Sequence, residues 1–280
     1  CTRCIRMLRE VAGKMELGAT GRGENVEIGT YIEKSLESEL SGNVIDVCPV
    51  GALTSKPFRF KARAWELQQH ASVAPHDCVG SNLFAHTRRG QVMRVVPREN
   101  EDINEVWLSD RDRFSYEGLT HEDRLQSPML KVDGEWQNVD WETGLQAAVD
   151  AIRAVIDGHG ADQMGVLVSP TCTLEEMSLV QAVARGIGIS NIDHRLRQVD
   201  FSDQDNAPLC PTLGQAVASL EGIDAALVIG GNPRKDQPII GHRLRKAALA
   251  GARISFINPV DYEFLFDVHA TCVEAPSNMV

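Results

Sequence analysis

The segment AALVIGGNPRKDQPIIGHRLRKAALAGARISFINP, residues 225–259, decides the fold of the second half of the chain. It begins with a short apolar run and a glycine-containing loop, and continues with a helical pattern and a second short apolar run. Short buried strands that alternate with helices favour a parallel sheet with helices on its faces. The sequence therefore predicts an α/β fold here.

The same alternation occurs upstream of this segment. DWETGLQAAVDAIRAVI, residues 140–156, carries its apolar residues on one helical face, and Asp140 stands at the position of an N-cap. The apolar run MGVLVSP, residues 164–170, and a second helical pattern over residues 173–188 follow. We therefore predict one α/β domain over residues 125–280, with its strands in a parallel sheet.

The first part of the chain has a different texture. Residues 1–62 are irregular and rich in glycine, with a short helical pattern that stops at Gly13. SNLFAHTRRGQVMRVVP, residues 81–97, alternates on both sides of a turn and predicts a β-hairpin. The polar, loop-rich stretch around it predicts a small β-rich module over residues 66–124.

Composition excludes several classes of function. The chain has 280 residues and a net charge of −11, which argues against binding to nucleic acid or to an anionic membrane surface. Its apolar runs are far shorter than the roughly 20 residues that span a bilayer. Seven cysteines are an odd number spread over a long chain, so a disulfide framework is disfavoured and a reducing compartment fits better.

Three cysteines near the start have metal-ligand spacing. Cys1 and Cys4 form a Cys-x2-Cys pair, and Cys48 is followed by Pro49. A local turn points both sulfurs of such a pair toward one centre, and a remote Cys-Pro is typical of iron–sulfur ligation. A cubane cluster takes four ligands and three are present. The spacing favours the iron–sulfur interpretation but leaves open a zinc half-site, a thioredoxin-like pair or plain buried thiols.

Four stretches carry a resemblance to a known family. Residues 1–13, 29–57, 101–119 and 229–247 closely resemble the large iron–sulfur subunits of respiratory NADH:quinone oxidoreductases, known as complex I. The resemblance runs through essentially the whole chain, and the block GTYIEKSLESELSGNVIDVCPVGALTSKP, residues 29–57, is specific to that family.

This resemblance implies a ligand set. Cys1, Cys4 and Cys48 correspond to the second, third and fourth cysteines of a [4Fe–4S] cluster, and the first is expected three residues before Cys1. Residues 1–62 would then be the end of a ferredoxin-like iron–sulfur domain. The family's [2Fe–2S] cluster and its further [4Fe–4S] cluster are expected upstream as well.

The second half resembles the molybdopterin oxidoreductases, such as formate dehydrogenases, which implies a truncated doubly wound α/β domain. Those enzymes hold a further cluster on four cysteines. The matching positions here are Pro75, Cys78, Asn82 and Ser109, so we expect no second cluster and a buried structural role for Cys78.

The molybdenum ligand is also expected to be missing. Val199 stands at the ligand position of those enzymes and Asp200 at their histidine, and valine cannot coordinate a metal. The other candidate ligands are expected to be surface or hydrogen-bonded histidines and buried thiols: His70, His76 and His86, and Cys172, Cys210 and Cys272.

The resemblance implies an electron relay with no substrate site of its own. Electrons would pass from a flavin-bearing subunit toward quinone-side subunits, in the peripheral arm of the complex on the cytoplasmic side of a bacterial inner membrane or the mitochondrial matrix side. Partners would be other subunits of that arm, with no nucleic acid and no membrane insertion. The alternatives are a catalytic molybdopterin oxidoreductase, such as a formate dehydrogenase subunit, and a scaffold without redox function.

Overall fold

The computed structural model describes residues 1–30, 34–195, 201–202, 204–208 and 211–279. The helices are α1 (Arg3–Arg6), α2 (Asn43–Val47), α3 (Asp110–Phe114), α4 (Trp141–His159), α5 (Leu174–Gly186), α6 (Pro233–Asp236) and α7 (Pro238–Leu249). The strands are β1 (Gly18–Thr20), β2 (Glu27–Gly29), β3 (Gln68–Val73), β4 (Asn82–Arg88), β5 (Gln91–Pro97), β6 (Met129–Val132), β7 (Glu135–Asn138), β8 (Gly165–Leu167), β9 (Asn191–Asp193), β10 (Ala225–Ile229), β11 (Arg253–Asn258) and β12 (Ala270–Val273). Two compact units are present: Cys1–Glu117 together with Cys210–Val280, and Gly118–Leu209.

The first unit begins with a short helical segment that buries one face. α1 continues into a π-helical turn over Met7–Ala12, which ends at Gly13. The φ of Gly13 is 82°, a left-handed conformation that glycine adopts without steric penalty. The predicted helical pattern and its end are confirmed. The buried face packs against residues of α2 and α7 in a core of Cys4, Ile5, Met7, Leu8, Ala12, Leu17, Leu40, Val44, Val79 and Ile239.

The predicted hairpin forms the middle of the first unit. β4 and β5 are antiparallel and are joined by a tight turn at Arg89 and Gly90. Both turn residues have positive φ, 52° and 78°, as a two-residue turn between twisted strands requires. β3 extends the pair to a three-stranded sheet. A small core beneath it consists of Ala74, Leu83, Val95 and Leu108.

The segment 225–259 folds as the strand–helix–strand unit that its pattern predicts. β10 and β11 are parallel neighbours, and β12 adds a third parallel strand beside β11. Ile254 and Phe256 of β11 are buried, and the ring of Phe256 stacks on that of Phe264 with centroids 3.8 Å apart. α7 connects β10 to β11 and packs on this sheet through Leu244.

α7 is also tied to the loop that follows the hairpin. The guanidinium of Arg243, only 3% exposed, donates to the carbonyl of Glu101 at 2.7 Å and to that of Ile103 at 2.9 Å. It also pairs with Glu105 at 2.8 Å. The imidazole of His242 lies 3.6 Å from that carboxylate and helps to hold the pKa of Glu105 well below its usual range. A buried charged network therefore fixes α7 against the module of residues 66–124.

The second unit, Gly118–Leu209, contains the predicted long helices. Asp140 accepts a hydrogen bond from the backbone N–H of Thr143 at 2.8 Å and caps α4, as predicted. Thr173 and Glu176 form a reciprocal capping box at the start of α5. Both helices therefore begin where local sequence signals place them.

Parts of the apolar faces of these helices are exposed in the structure, and other parts are half-buried. The exposed fraction is 70% for Trp141 on α4 and 81% for Leu174 on α5. Ala184 and Ile189 are the buried apolar residues of this unit among those that the structure describes. Helical periodicity thus predicted the helices correctly, whereas their burial depends on partners that the pattern does not specify.

The prediction of a single parallel sheet over residues 125–280 is wrong for the described part of the chain. The strands fall into two separate parallel sheets, β8–β9 in the second unit and β10–β11–β12 in the first. Apolar runs predict where strands form. Which strands pair depends on contacts between residues that are far apart in the sequence. Each of β8 and β9 has three residues, so their pairing is confined to that short ladder.

Candidate metal centre

The first two predicted ligands lie at the start of the first helical segment. Cys4 is in α1 and is 7% exposed, whereas Cys1 precedes α1 and is exposed. α1 packs against α2, and Val44 and Val47 of α2 contact the core that contains Cys4. Because α2 ends immediately before Cys48, the two ligand-bearing elements are direct neighbours.

Cys48 follows α2 on extended backbone and has the electrostatic surroundings of a metal ligand. Its φ and ψ are −78° and 104°, so the chain leaves the helix at the sulfur. The nearby backbone N–H of Leu53 and, to a lesser degree, those of residues 50–52 lower the pKa of the thiol. N–H groups near a sulfur stabilise the thiolate, the form that binds metals.

The structure does not assemble a complete ligand set. Within the described ranges, no group of three or more His, Cys, Asp or Glu side chains is arranged to hold a metal ion. Cys1, Cys4 and Cys48 are all free thiols. Thiols are the donors that an iron–sulfur cluster takes, but the structure does not group these three around one centre, and their assignment to one cluster stays a prediction.

A buried polar junction lies directly before Cys48. We call it the seam; it consists of residues 39–46 on one side and residues 108–113 on the other. Asn43 and Leu108, both fully buried, pair across it through side-chain and backbone hydrogen bonds. Sequence reasoning missed this contact, although its two sides lie in two of the stretches that carry the family resemblance, residues 29–57 and 101–119.

Ser109, which the sequence analysis places at a cluster-cysteine position of the molybdopterin enzymes, is a helix cap in the structure. Ser109 is 1% exposed, and its hydroxyl accepts from the backbone N–H of Asp112 at 3.1 Å and donates to the Asp112 carboxylate at 2.7 Å. Burial raises the pKa of Asp112. At another ligand position, the backbone N–H of Asn82 donates to Asn104 at 2.9 Å. Hydrogen bonds within the protein thus occupy both positions.

The prediction that the remaining cysteines are buried is wrong for two of them. Cys78 and Cys272 are exposed, and Cys172 is half-buried. Around Cys78 the carboxylate of Asp77 takes the interior place: its side chain is 2% exposed and pairs with Arg111 at 3.1 Å. The carboxylate of Asp77, and not the neighbouring thiol of Cys78, is therefore the buried group at this point of the chain.

The histidines behave as expected where the structure reveals a partner. Nε2 of His70 lies 2.9 Å from the hydroxyl of Thr87. Nδ1 of His86 accepts from Nε of Arg94 at 3.0 Å, and burial lowers the pKa of that imidazole. Both are hydrogen-bonded side chains of the hairpin sheet. Val199, Asp200 and Cys210 lie outside the described residues.

Comparison with known families follows the three segments of the chain. Residues 1–54 match the ferredoxin-like domain of NADH-quinone oxidoreductase subunit 3, and residues 67–117 match the NADH-ubiquinone oxidoreductase NDSU1/NuoG-like 4Fe-4S domain. Residues 124–270 match the family molybdopterin oxidoreductase. The chain belongs to the molybdopterin oxidoreductase family. The resemblance to the large iron–sulfur subunits of NADH:quinone oxidoreductases is also confirmed, since two of the three segments match domains of that type.

Curated relatives agree with this membership. The chain is 38% identical over 270 residues to the NADH-ubiquinone oxidoreductase 75 kDa subunit of Reclinomonas americana, covering 90% of this chain and 37% of the relative. It is 40% identical over 287 residues to the mitochondrial NADH dehydrogenase [ubiquinone] iron-sulfur protein 1 of Solanum tuberosum, covering 98% of this chain and 37% of the relative. An NADH-quinone oxidoreductase subunit of Rickettsia bellii is 42% identical over 258 residues, covering 91% of this chain and 37% of the relative. The chain thus spans little more than a third of the length of these relatives.

A solved structure shares the fold. Acetylene hydratase from Pelobacter acetylenicus superposes with a TM-score of 0.50 at 13% sequence identity, covering 69% of this chain and 28% of that protein. Identity this low supports a shared fold alone. Among the described residues, no helix combines the length and the apolar character that crossing a bilayer requires.

Proposed function

We propose that the chain is part of an electron-relay subunit of NADH:quinone oxidoreductase and holds a [4Fe–4S] cluster through Cys1, Cys4 and Cys48. A fourth thiolate would come from upstream of these residues. When bound, such a cluster accepts and passes on single electrons. The observation that carries this proposal is the Cys48 loop, where backbone N–H donors lower the pKa of a thiol beside the helix that contains Cys4.

In this role the protein's own residues control the surroundings of the sulfurs. Burial of Cys4 against Leu8 and Val44 keeps water away from one sulfur. The N–H groups of residues 50–53 place positive dipole ends at the Cys48 sulfur. Such donors favour the more negative, reduced state and raise the reduction potential.

The finer organisation belongs to the same proposal. Residues 1–62 end a ferredoxin-like domain, residues 66–124 form a module that has lost its own cluster, and residues 125–280 form a truncated doubly wound α/β domain without molybdenum. Further [2Fe–2S] and [4Fe–4S] clusters would lie in an upstream part of the subunit. Partners would be flavin-bearing and quinone-side subunits, with the protein peripheral on the cytoplasmic or matrix side of the membrane.

A catalytic molybdopterin oxidoreductase is the second candidate, because the family match at residues 124–270 includes such enzymes. The residues at the ligand positions argue against it. Val199 and Asp200 replace the metal ligand and its neighbouring histidine, and Ser109 replaces a cluster cysteine. Stoichiometric molybdenum in the purified complex would favour this candidate over the electron relay.

Cys48→Ala tests the proposal against the matched variant Cys78→Ala, each in the full-length subunit of the purified complex. Low-temperature EPR and iron analysis should show that Cys48→Ala loses one four-iron signal, because no other thiol replaces the missing ligand. Cys78→Ala should keep every signal. An unchanged spectrum in Cys48→Ala would refute the ligand assignment, and loss of a signal in Cys78→Ala would show a second cluster in this chain.

A further inference from the structure

We infer that the module of residues 66–124, which has lost its own cluster ligands, positions Cys48 for the cluster of the neighbouring domain. The seam is the contact through which it does so. This inference rests on the proposed function, because it assumes that Cys48 is a ligand. Asn43, Asp110 and Arg113 are the positioning residues, and none of them needs to touch the cluster.

Asn43 is the centre of the seam. Its side-chain amide donates to the carbonyl of Leu108 at 2.8 Å and to that of Leu40 at 2.9 Å. Its carbonyl oxygen accepts from the backbone N–H of Leu108 at 3.0 Å and from Arg113 at 3.0 Å. Because Asn43 is the first residue of α2, these bonds fix the start of the helix that ends directly before Cys48. With Asn43 completely buried, water cannot replace a lost partner without reorganisation.

Asp110 hydrogen-bonds to the two residues that precede Asn43. One carboxylate oxygen accepts from the backbone N–H of Gly42 at 2.6 Å, and the other accepts from the hydroxyl of Ser41 at 2.5 Å. The approach depends on glycine at position 42, since a Cβ there would lie 2.7 Å from Cδ of Arg113. The first turn of α2 is therefore held by a carboxylate that comes from the other module.

Arg113 contacts the C-terminal end of α2. Its guanidinium donates to the carboxylate of Asp46 at 2.5 Å as well as to Asn43. Arg113 is 4% exposed, and Asp46 lies two residues before Cys48. α2 spans only Asn43–Val47. The contacts at its two ends therefore restrict the direction in which the chain enters Cys48.

Ser109, at a predicted cluster-cysteine position of the molybdopterin enzymes, supports the seam. It caps α3, the helix that carries Asp110 and Arg113, and so helps to order two of the residues that form the seam. Groups that hydrogen-bond directly to the ligands of a metal site are typically worth about 10- to 100-fold in metal affinity. The seam acts one step further from the ligand, so the lower end of that range applies.

The test compares two buried asparagines of similar chemistry. Asn104 is 1% exposed and takes part in as many hydrogen bonds as Asn43, but its partners are Asn82, Arg98 and Trp107. Asn43→Ala and Asn104→Ala are introduced into the full-length subunit of the purified complex. The EPR signal that disappears in Cys48→Ala is then followed in both variants, together with the rate at which a chelator removes its iron.

We expect Asn43→Ala to broaden or shift that signal and to release the iron about 10-fold faster or more, while Asn104→Ala leaves the signal as in the wild type. Ser41→Ala, which removes one contact with Asp110, should give a smaller change in the same direction and serves if Asn43→Ala does not assemble. Asp110→Asn keeps the acceptor for Gly42, and its amide can donate to the Ser41 hydroxyl, so it should preserve the signal.

Three results would overturn the inference. Equal changes in Asn43→Ala and Asn104→Ala would indicate a general loss of stability. A wild-type signal and iron-release rate in both Asn43→Ala and Ser41→Ala would show that the seam does not act on the ligand. In either case, loss of the signal in Cys48→Ala leaves the proposed function standing. Persistence of every signal in Cys48→Ala would instead refute the ligand assignment and this inference together.

Discussion

The loops around Cys48 and Cys78 have similar sequences, but their backbone N–H groups act on different partners. The first is CPVGAL and the second CVGSNL, each with a glycine two or three residues after the cysteine. In the first loop the nearby N–H groups of residues 50–53 lower the pKa of the Cys48 thiol. In the second, the N–H of Val79 donates to Asp77 at 3.0 Å instead, and Cys78 is exposed.

This difference teaches that two loops of similar sequence can use their backbone N–H groups on different partners, a thiol in the first loop and a carboxylate in the second. The cysteine alone does not distinguish the two loops, since both thiols are free. In the second loop a carboxylate has taken the donor and has paired with Arg111. The backbone donor of the second loop thus serves a carboxylate that is itself ion-paired, and the thiol beside it has no such donor among the described residues.

Ser109→Ala should have the largest effect on stability among the changes that probe this comparison. It removes an N-cap and leaves the buried carboxylate of Asp112 without its hydroxyl donor, so the free energy of unfolding should fall by about 1–3 kcal/mol. Urea unfolding of the full-length subunit, followed by tryptophan fluorescence, measures the loss.

Ser277→Ala, at an exposed serine, is the control and should leave the urea midpoint within error of the wild type. Ser109→Cys sharpens the same comparison. It restores a thiol at the old ligand position but should add no iron, because Pro75 and Asn82 cannot supply the other ligands. Additional iron in Ser109→Cys would show that the module retains a ligand set.

Alkylation of Cys48 should begin at lower pH than that of an ordinary thiol. The nearby N–H groups lower its pKa, so a larger fraction of the thiol is thiolate at a given pH, and iodoacetamide reacts only with thiolate. In iron-free folded subunit the pH of half-maximal rate should therefore lie below its value in urea, where the N–H groups no longer surround the sulfur. Peptide mass spectrometry measures both, and identical midpoints would show that the loop does not act on the sulfur.

Cys78→Ala should have the smallest effect on the stability of the subunit. Because the side chain is exposed, its truncation should change the free energy of unfolding by no more than about 0.5 kcal/mol. The same urea titration measures it. A loss above about 1 kcal/mol, on the order of a core substitution, would return Cys78 to the buried structural role that the sequence first indicated.

Local signals were sufficient for much of the fold. The turn at Arg89 and Gly90, the cap at Asp140 and the helix end at Gly13 each depend on a few adjacent residues, so their patterns predicted them correctly. The family resemblance pointed to Cys48 as a ligand, and its loop supplies suitable donors. Local signals failed for Cys78, where the buried side chain is that of Asp77, paired with Arg111 at a sequence separation of 34 residues.

The sequence by itself determined the short-range elements, the cysteine spacing and the family. Only the tertiary structure decided which strands pair, which helical faces are covered and which residues brace Cys48. Asn43 and Leu108 are 65 residues apart, and no periodic pattern connects them. Their pairing follows from two surfaces that exclude water together and must satisfy every polar group they bury, a requirement that exists only once the chain has folded.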